Sequence, residues 1–272
     1  MQSFGQSPHK KTRHKRKRSK PKVRQMENTG YIALSRQGTL RREMSTIANN
    51  LANMNTTAYK GERMMFVEHL TRSKSADFIA DQKLAFTRDV ASYRNINDGP
   101  IEQTGNPLDV AIHGKGYFVT QGPDGDPQYT RNGNFRMDNT GQLVTQAGLP
   151  VLTQAGAPVF FAPEDTNIVI TGDGTISTQN GQLGKLQVVE FDNEMQLKRA
   201  ANGMYTTDQA AIAMDRPEVA QYALERSNVE GVMEMTRMIE ISRKYKSIQN
   251  MLTKEDERIR KAIGELAKIS QS

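Results

Sequence analysis

The C-terminal part of the chain carries a stripe of apolar residues whose steps alternate between three and four positions. The stripe comprises Met238, Ile241, Tyr245, Ile248, Leu252, Glu255, Ile259, Ala262, Leu266 and Ile269, and only Glu255 interrupts its apolar character. A period of about 3.5 residues places these side chains on one side of a helix and is typical of helices that pack along a partner helix. We therefore predict a coiled-coil helix within residues 215–272, with Pro217 in its first turn.

A second, shorter stripe with the same alternation lies near the other end of the chain. It consists of Leu40, Met44, Ile47, Leu51 and Met54. It predicts an amphipathic helix within residues 26–62, beginning near Gly30. The two helices can bury their stripes against each other, against other copies of the chain, or in both ways.

An unusual run of asparagines occupies the end of the N-terminal stripe, in residues 49–55. Asparagine disfavours helix interiors because its amide competes for backbone hydrogen bonds, so the run predicts that the helix ends here. A second interpretation is that Asn50 or Asn53 forms hydrogen bonds across a helix interface and fixes its register. Both interpretations can hold at once.

The net charge of +7 arises from the first 25 residues. Ten of the 37 Lys and Arg residues lie there without any Asp or Glu, so the remaining chain holds more acidic than basic side chains. A basic segment without apolar periodicity predicts disorder. It is either a patch that binds nucleic acid or an anionic membrane, or an extension that precedes Met26 as the working start.

The middle of the chain predicts β-structure. Residues 98–214 are rich in Gly, Asn and Asp and contain short apolar runs at regular intervals without intervening helices, which indicates an antiparallel, all-β domain. Residues 63–97 are expected to form a partly extended connector, and residues 202–217 a linker. The predicted fold class is therefore α+β, with long N- and C-terminal helices that pair as a coiled-coil-like bundle and an all-β antiparallel central domain.

The sequence shows no pattern typical of an enzyme. Cysteine is absent, the four histidines lack metal-ligand spacing, and no nucleotide-binding loop is present. We predict no catalytic residues, no cofactor and no metal site. No apolar run of about 18 residues and no signal-peptide pattern are visible, so we expect no membrane insertion and no cleaved signal.

Three parts of the chain resemble the flagellar rod and hook protein family. The similar sequences are IANNLANMNTTAYK at 47–60, TGNPLDVAIHGKGYF, YTRNGNF and GQLV at 104–118, 129–135 and 141–144, and LERSNVEGVMEMTRMI at 224–239. Residues 26–37 resemble the proximal-rod members more than the distal-rod members. Ala58 departs from the pattern, because many members have glycine there.

The resemblance implies a structural, non-enzymatic axial subunit of the bacterial flagellar basal body. Its implied partners are other proximal and distal rod subunits and copies of itself. It implies export through the flagellum's own type III apparatus and a position that spans the periplasm. The alternative function is nucleic-acid binding through the basic N-terminal segment.

Assembly would then depend on the two stripes and on the asparagines beside them. The residues predicted for the assembly interface are Leu40, Met44, Ile47, Asn50, Leu51, Asn53, Ile241, Ile248, Leu252 and Ile259. A simpler interpretation is that the stripes only close a hairpin within one chain. Pairing within the subunit would not exclude further contacts between subunits.

Overall fold

A computed structural model describes residues 23–72 and 83–269 and shows an α+β fold. Within these ranges, helices at the two ends of the chain flank a series of short strands. The helices are α1 (Val23–Ala52) and α2 (Gly231–Ile269). The strands are β1 (Glu62–Arg72), β2 (Lys83–Arg94), β3 (Ile101–Gln103), β4 (Val110–His113), β5 (Tyr117–Gln121), β6 (Pro127–Thr130), β7 (Phe135–Met137), β8 (Leu143–Thr145), β9 (Val169–Ile170), β10 (Thr175–Thr178), β11 (Gly181–Lys185), β12 (Val188–Glu190), β13 (Lys198–Arg199), β14 (Met204–Thr206), β15 (Ile212–Ala213), β16 (Glu218–Gln221) and β17 (Ala223–Glu225).

The start of α1 differs from the prediction, whereas its end lies in the asparagine run, as predicted. The helix begins at Val23, so residues 23–25 are helical and do not belong to a disordered extension, whereas residues 1–22 lie outside the described residues. It ends at Ala52, inside the asparagine run, and a turn leads to β1 at Glu62. The segment 26–62 that was assigned to the N-terminal helix therefore includes, after Ala52, the turn before β1, and the asparagine run marks the helix end within it.

Residues 63–97, expected to form a connector, contain an antiparallel ribbon. Strand β1 pairs with β2 from Glu62 opposite Arg94 to Arg72 opposite Lys83, with a register shift after Met65. Both strands of the ribbon pack against α1. The segment is extended, as expected for a connector, but its two strands also pair with each other. The sequence did not predict this pairing, because apolar and polar residues alternate only weakly here.

The central domain is antiparallel throughout its described strand pairs, as predicted. Its largest sheet has six strands in the order β13-β14-β6-β5-β12-β15. Along β5 the side chains alternate between two cores, because Phe118 enters one and its neighbours Tyr117 and Val119 enter the other. The larger core contains Val110, Ile112, Phe118, Phe135, Leu143, Val151, Val159, Phe161, Ile168, Ile170, Ile176, Leu186, Val188 and Val219.

The start of the C-terminal helix and the linker before it were predicted wrongly. Strands β14 and β15 lie within the expected linker 202–217, and β16 and β17 occupy residues that were expected to be helical from 215. The latter two strands pair with β4 and β3, respectively. Pro217 therefore precedes a strand rather than a helix, since long-range pairing overrides a local helix-start signal, and α2 begins at Gly231.

The helices α1 and α2 pack against each other through the predicted stripes. Leu40, Ile47 and Ile241 form a buried cluster. Met44, Met238, Tyr245 and Ile248 pack against this cluster and complete what we call the helix seam. The end of α1 meets the start of α2, so the helices run antiparallel as a hairpin. Neither described helix is long and apolar enough to cross a membrane.

The helix seam should account for much of the stability of the hairpin. Replacing Ile47 by Ala removes a nearly fully buried side chain and should lower the free energy of unfolding by about 2–4 kcal/mol. Urea unfolding followed by the far-ultraviolet helix signal would measure this loss. Met251→Ala is the matched control, because Met251 lies on α2 but is exposed, and its loss should stay within about 0.5 kcal/mol. Equal losses for the two variants would contradict the assignment of the seam.

Candidate assembly interface

The structure places the predicted interface residues in different environments. Leu40, Ile47 and Ile241 are buried within one chain, with Met44 and Ile248 packed against them. Leu51 and Leu252 are half-buried outside that cluster. Ile259 is 37% exposed near the far end of α2. The central part of the predicted interface is thus an intramolecular contact, which leaves other surfaces for contacts between subunits.

Asn50 connects α1 to both elements that meet its end. Its Nδ2 donates to the carbonyl oxygen of Glu62 at 2.8 Å, and its Oδ1 accepts from the backbone N–H of Glu62 at 2.9 Å. Nδ2 also lies 3.4 Å from Oε2 of Glu234 on α2, and the hydroxyl of Tyr59 donates to Oδ1 at 3.3 Å. With only 3% of its surface exposed, Asn50 holds the ribbon and α2 in fixed positions relative to α1.

Asn53, three residues later, has a different role. Its Nδ2 donates to the carbonyl oxygen of Asn49 at 2.9 Å and to the side chain of the same residue at 3.0 Å. These are local bonds at an exposed helix end, where the carbonyl oxygen of Asn49 also accepts the backbone N–H of Asn53 at 3.2 Å, so the amide reinforces the last turn. The two interpretations of the asparagine run therefore apply to different residues: Asn50 bridges elements, whereas Asn53 closes the helix end.

A group of charged side chains, three of them buried, joins the chain that follows α1 to the chain that precedes α2. The carboxylate of Glu225 accepts from Lys60 Nζ at 2.6 Å and from Arg131 Nε at 2.6 Å. Arg131 also donates to Asp98 Oδ1 at 2.8 Å. Lys60, Arg131 and Glu225 are 4%, 4% and 2% exposed, respectively. These four residues form what we call the joint cluster, because they join the chain that follows α1, the segment before β3, the central sheet and the chain that leads to α2.

Backbone groups complete the hydrogen bonding of the joint cluster. Lys60 Nζ donates to the carbonyl oxygen of Asn97 at 2.8 Å, and Arg131 Nη1 donates to that of Gly116 at 2.6 Å. The N–H of Gly99 donates to Glu225 at 2.9 Å. Gly99 has no room for a side chain, because a Cβ atom there would lie 2.0 Å from the carbonyl oxygen of Arg226. Charged groups can remain buried when their hydrogen-bonding atoms all have partners, as these do.

The pKa of Glu225 reflects the charges around it. Burial alone would raise the pKa, but the positive charges of Arg131 and Lys60 and their hydrogen bonds outweigh it, so the pKa lies below its usual value of 4.5. Glu225 is therefore ionised at neutral pH. Because the folded-state pKa is lowered, this ion pairing contributes stability above the usual pKa, and the contribution is lost as the pH falls through the lowered value.

Two arginine–aromatic contacts lie between the ribbon end of the joint and the main sheet. The guanidinium of Arg199 lies 4.6 Å from the centre of the Tyr59 ring and forms an ion pair with Glu62 at 3.2 Å. Arg94 lies 4.6 Å from the centre of the Tyr205 ring. These contacts link the end of the ribbon at which Glu62 lies opposite Arg94 to strands β13 and β14 of the main sheet.

Ala58 adopts a backbone conformation that glycine prefers. Its φ is 56°, in the left-handed region, and its N–H donates to the carbonyl oxygen of Glu225 at 2.8 Å. A residue with a Cβ is strained at such a φ. The hydrogen bond to Glu225 thus holds the turn at Ala58 to the chain that leads to α2.

Sequence reasoning missed the joint cluster. Nevertheless, each block that resembles the rod and hook proteins contains one of its main members, since Lys60, Arg131 and Glu225 lie in the first, middle and last blocks, respectively. A charged residue in each of three separated blocks was the available signal. Among the described residues, no group of acidic residues and histidines could hold a metal ion.

Family models match three parts of the chain. Residues 31–60 match the flagella basal body rod protein model, and residues 111–178 match the D1 domain of flagellar hook protein FlgE/F/G. Residues 220–265 match the C-terminal model of the flagellar basal body rod FlgEFG proteins. The first and last matches contain most of α1 and α2, and the middle match lies in the β domain.

Similar curated proteins cover almost the whole chain. The flagellar basal-body rod protein FlgF of Caulobacter vibrioides is 37% identical over 90% of this chain and 100% of its own length. FlgF of Mesorhizobium japonicum is 33% identical over 82% of this chain and 90% of its own. The rod protein FlgG of Agrobacterium fabrum is 32% identical over 83% and 94%.

The joint cluster should be critical for stability. Glu225→Gln removes the only buried carboxylate that, among the described residues, faces Lys60 and Arg131 and leaves them the half-exposed Asp98 alone, so it should lower the free energy of unfolding by about 3–5 kcal/mol. The control is Glu102→Gln, because Glu102 pairs with Arg226 on the surface at 3.4 Å and should contribute less than about 1 kcal/mol. Denaturant unfolding at neutral pH measures both losses, and a loss at Glu225 as small as that at Glu102 would refute the role of the cluster.

A comparison of the unmodified chain with Glu225→Gln also tests the sign of the pH dependence. The stability difference between them should be constant near neutral pH. It should shrink as the pH falls below the usual value of 4.5, where the unfolded chain takes up the proton, and through the lower pKa of the folded state, where the buried carboxylate does. A difference that grows on acidification would contradict the lowered pKa.

Asn50 and Asn53 provide a matched comparison within one run. Asn50→Ala leaves backbone groups of Glu62 without partners and should lower the free energy of unfolding by about 1–3 kcal/mol. Asn53→Ala removes only exposed, local bonds and should change it by about 0.5 kcal/mol or less. Thermal or urea unfolding of the two variants checks this order, and the reverse order would show that Asn50 does not hold the joint.

Proposed function

The chain belongs to the flagellar basal-body rod protein family, as a FlgF-like member, and on that premise we propose that it is an axial subunit of the proximal rod. It is a structural protein of the flagellar basal body and not an enzyme. The observation that carries the proposal is the similarity to FlgF proteins over nearly the full chain, together with terminal helices that pair as a hairpin.

The proposed mechanism is assembly by helix packing into a shaft that transmits torque. A hairpin of helices 30 and 39 residues long supplies a stiff rod-shaped element. The joint cluster fixes this element to the β domain, so that force applied to one is passed to the other. Helices laid along the axis resist bending and twisting because many packed side chains must move together.

The proposed partners are copies of the chain itself and other proximal and distal rod proteins. We also propose that the chain is exported by the flagellar type III apparatus without a cleaved signal and that the assembled rod spans the periplasm. Membership in the rod family supports these points. The comparisons do not support the alternative of nucleic-acid binding through the basic segment.

A complementation experiment tests the proposed function. A strain that lacks the chain should fail to swim, and the unmodified chain should restore swimming and appear in isolated basal bodies. A chain without residues 1–22 should restore both, whereas Ile47→Asp combined with Ile241→Asp should restore neither, because two charges would be buried in the helix seam.

Met195→Lys is the control for this experiment. Met195 is 47% exposed in the β domain, so a charge there should leave swimming intact. Normal swimming with both seam charges in place would overturn the proposed mechanism. Loss of swimming on deletion of residues 1–22, accompanied by loss of DNA binding, would favour the alternative function.

A further inference from the structure

A cavity of about 280 Å³ lies on the β domain and is lined largely by amide side chains. Three segments surround it: the connection from β6 to β7, the turn after β8 and the chain that leads into β14. The amides that line the cavity are those of Asn132, Asn134, Gln146 and Asn202. We call these four residues the amide ring. The helix seam and the joint cluster use none of them, so the cavity is a separate feature of the molecule.

Local hydrogen bonds fix three members of the amide ring and leave part of each amide free. The side-chain oxygen of Asn132 accepts the backbone N–H of Asn134 at 3.0 Å. The side-chain nitrogen of Gln146 donates to the side-chain oxygen of Asn134. Within the described chain, the amide nitrogens of Asn132 and Asn134 and the amide oxygen of Gln146 have no partner. These atoms are therefore available to a ligand.

Asn202 supplies the fourth amide from the opposite side of the cavity. Its side chain is exposed and forms no hydrogen bond with any residue that the structure describes. Its φ of 58° is in the left-handed region, which asparagine tolerates better than most residues. The chain then enters β14, where Met204 is 3% exposed and lines the cavity together with Ala147. The lining thus combines four amides with a small apolar part.

The chemistry of this lining favours a neutral ligand. None of the lining side chains carries a charge, so a phosphate or carboxylate group would lose hydration without gaining an opposite charge. Amide side chains both donate and accept hydrogen bonds. They match a ligand that carries many donors and acceptors on a small frame. A peptide backbone and a saccharide are the two classes that meet this description.

The strands around the cavity favour a saccharide over an extended peptide. A peptide usually binds by adding a strand to the free edge of a sheet. Strand β14 lies between β13 and β6, so both of its sides are paired. Strand β8 pairs with β7 on one side, and its Val144 is bridged to Pro150 on the other. A sugar ring needs no free edge, and the small volume of the cavity suits a single ring.

We propose that the amide ring binds an N-acetylated amino sugar. The hydroxyl and acetamido groups of the sugar exchange hydrogen bonds with the amides, and its acetyl methyl group packs against Met204 and Ala147. The inference rests on the proposed function, because a rod that spans the periplasm passes the glycan strands of the cell wall, which are chains of such sugars. A rotating rod tolerates only weak contacts, so we expect a dissociation constant on the order of 1 mM.

A nuclear magnetic resonance titration of the purified, isotope-labelled full chain tests this inference. The probe is the trimer of N-acetylglucosamine, and the signals to follow are the side-chain amides of the amide ring. These signals should shift and approach saturation with a dissociation constant on the order of 1 mM. Maltotriose, a glucose trimer without acetamido groups, should bind much more weakly.

Two cavity variants and one control locate the binding. Asn202→Gly removes an amide but keeps the backbone conformation, because glycine readily adopts a positive φ, and it should weaken binding about five- to tenfold. Ala147→Phe fills the cavity from an exposed position and should weaken binding at least as much. Asn139→Gly is the matched control, because Asn139 is exposed in the turn at the other end of the β7–β8 hairpin, and it should bind as the unmodified chain does.

Several results would overturn the inference. They are the absence of shifts at roughly 20 mM of the sugar trimer, equal binding of maltotriose, tighter binding of an end-blocked alanine tripeptide, and full affinity in both cavity variants. Each of these results leaves the proposed function intact, because swimming and the presence of the chain in basal bodies are measured separately. Absence of the unmodified chain from basal bodies would overturn the proposed function itself, whatever the titration shows.

Discussion

The position of the helix hairpin on the β domain depends on one buried carboxylate. Glu225 binds Lys60 and Arg131 at the same time, at 2.6 Å each, and all three side chains are shielded from water. Buried ion pairs add little to stability when compared with well-packed apolar residues, but removal of one member is costly. Their geometry is also strict. The joint cluster therefore specifies one arrangement of the two parts rather than merely holding them together, and the proposed role as a shaft that transmits torque would need such an arrangement.

The helix seam covers only part of the apolar surface that the two helices carry. The stripes are buried within the chain where Leu40, Ile47 and Ile241 meet, whereas Ile259, farther along the C-terminal stripe, is 37% exposed. Other apolar side chains, such as Ile239 and Leu34, are exposed on the opposite sides of the same helices. A periodic stripe thus reports that a helix has a partner, but it does not report whether that partner belongs to the same chain.

The sequence predicted the helices, the antiparallel β domain and the family, because each depends on local periodicity or on a short motif. It misplaced the region around Pro217, because pairing of β16 and β17 with β4 and β3 depends on residues about a hundred positions earlier. It also missed the joint cluster. Lys60 and Arg131 look like ordinary surface charges in the sequence, since only the folded chain shows that both are buried against Glu225. The difference between Asn50 and Asn53 was likewise invisible until their neighbours were known.

The wide separation of the joint residues along the chain has a consequence for the order of events during folding. Glu225 follows Lys60 by 165 residues, and the seam partner of Ile47 on α2 lies still later. Since synthesis proceeds from the N-terminus, α1 is made long before any residue that can cover its apolar side. The turn at Ala58 is likewise completed only after Glu225 has been made, because the N–H of Ala58 donates to the carbonyl oxygen of Glu225. The joint cluster and the turn at Ala58 therefore cannot form until the last fifth of the chain is being made.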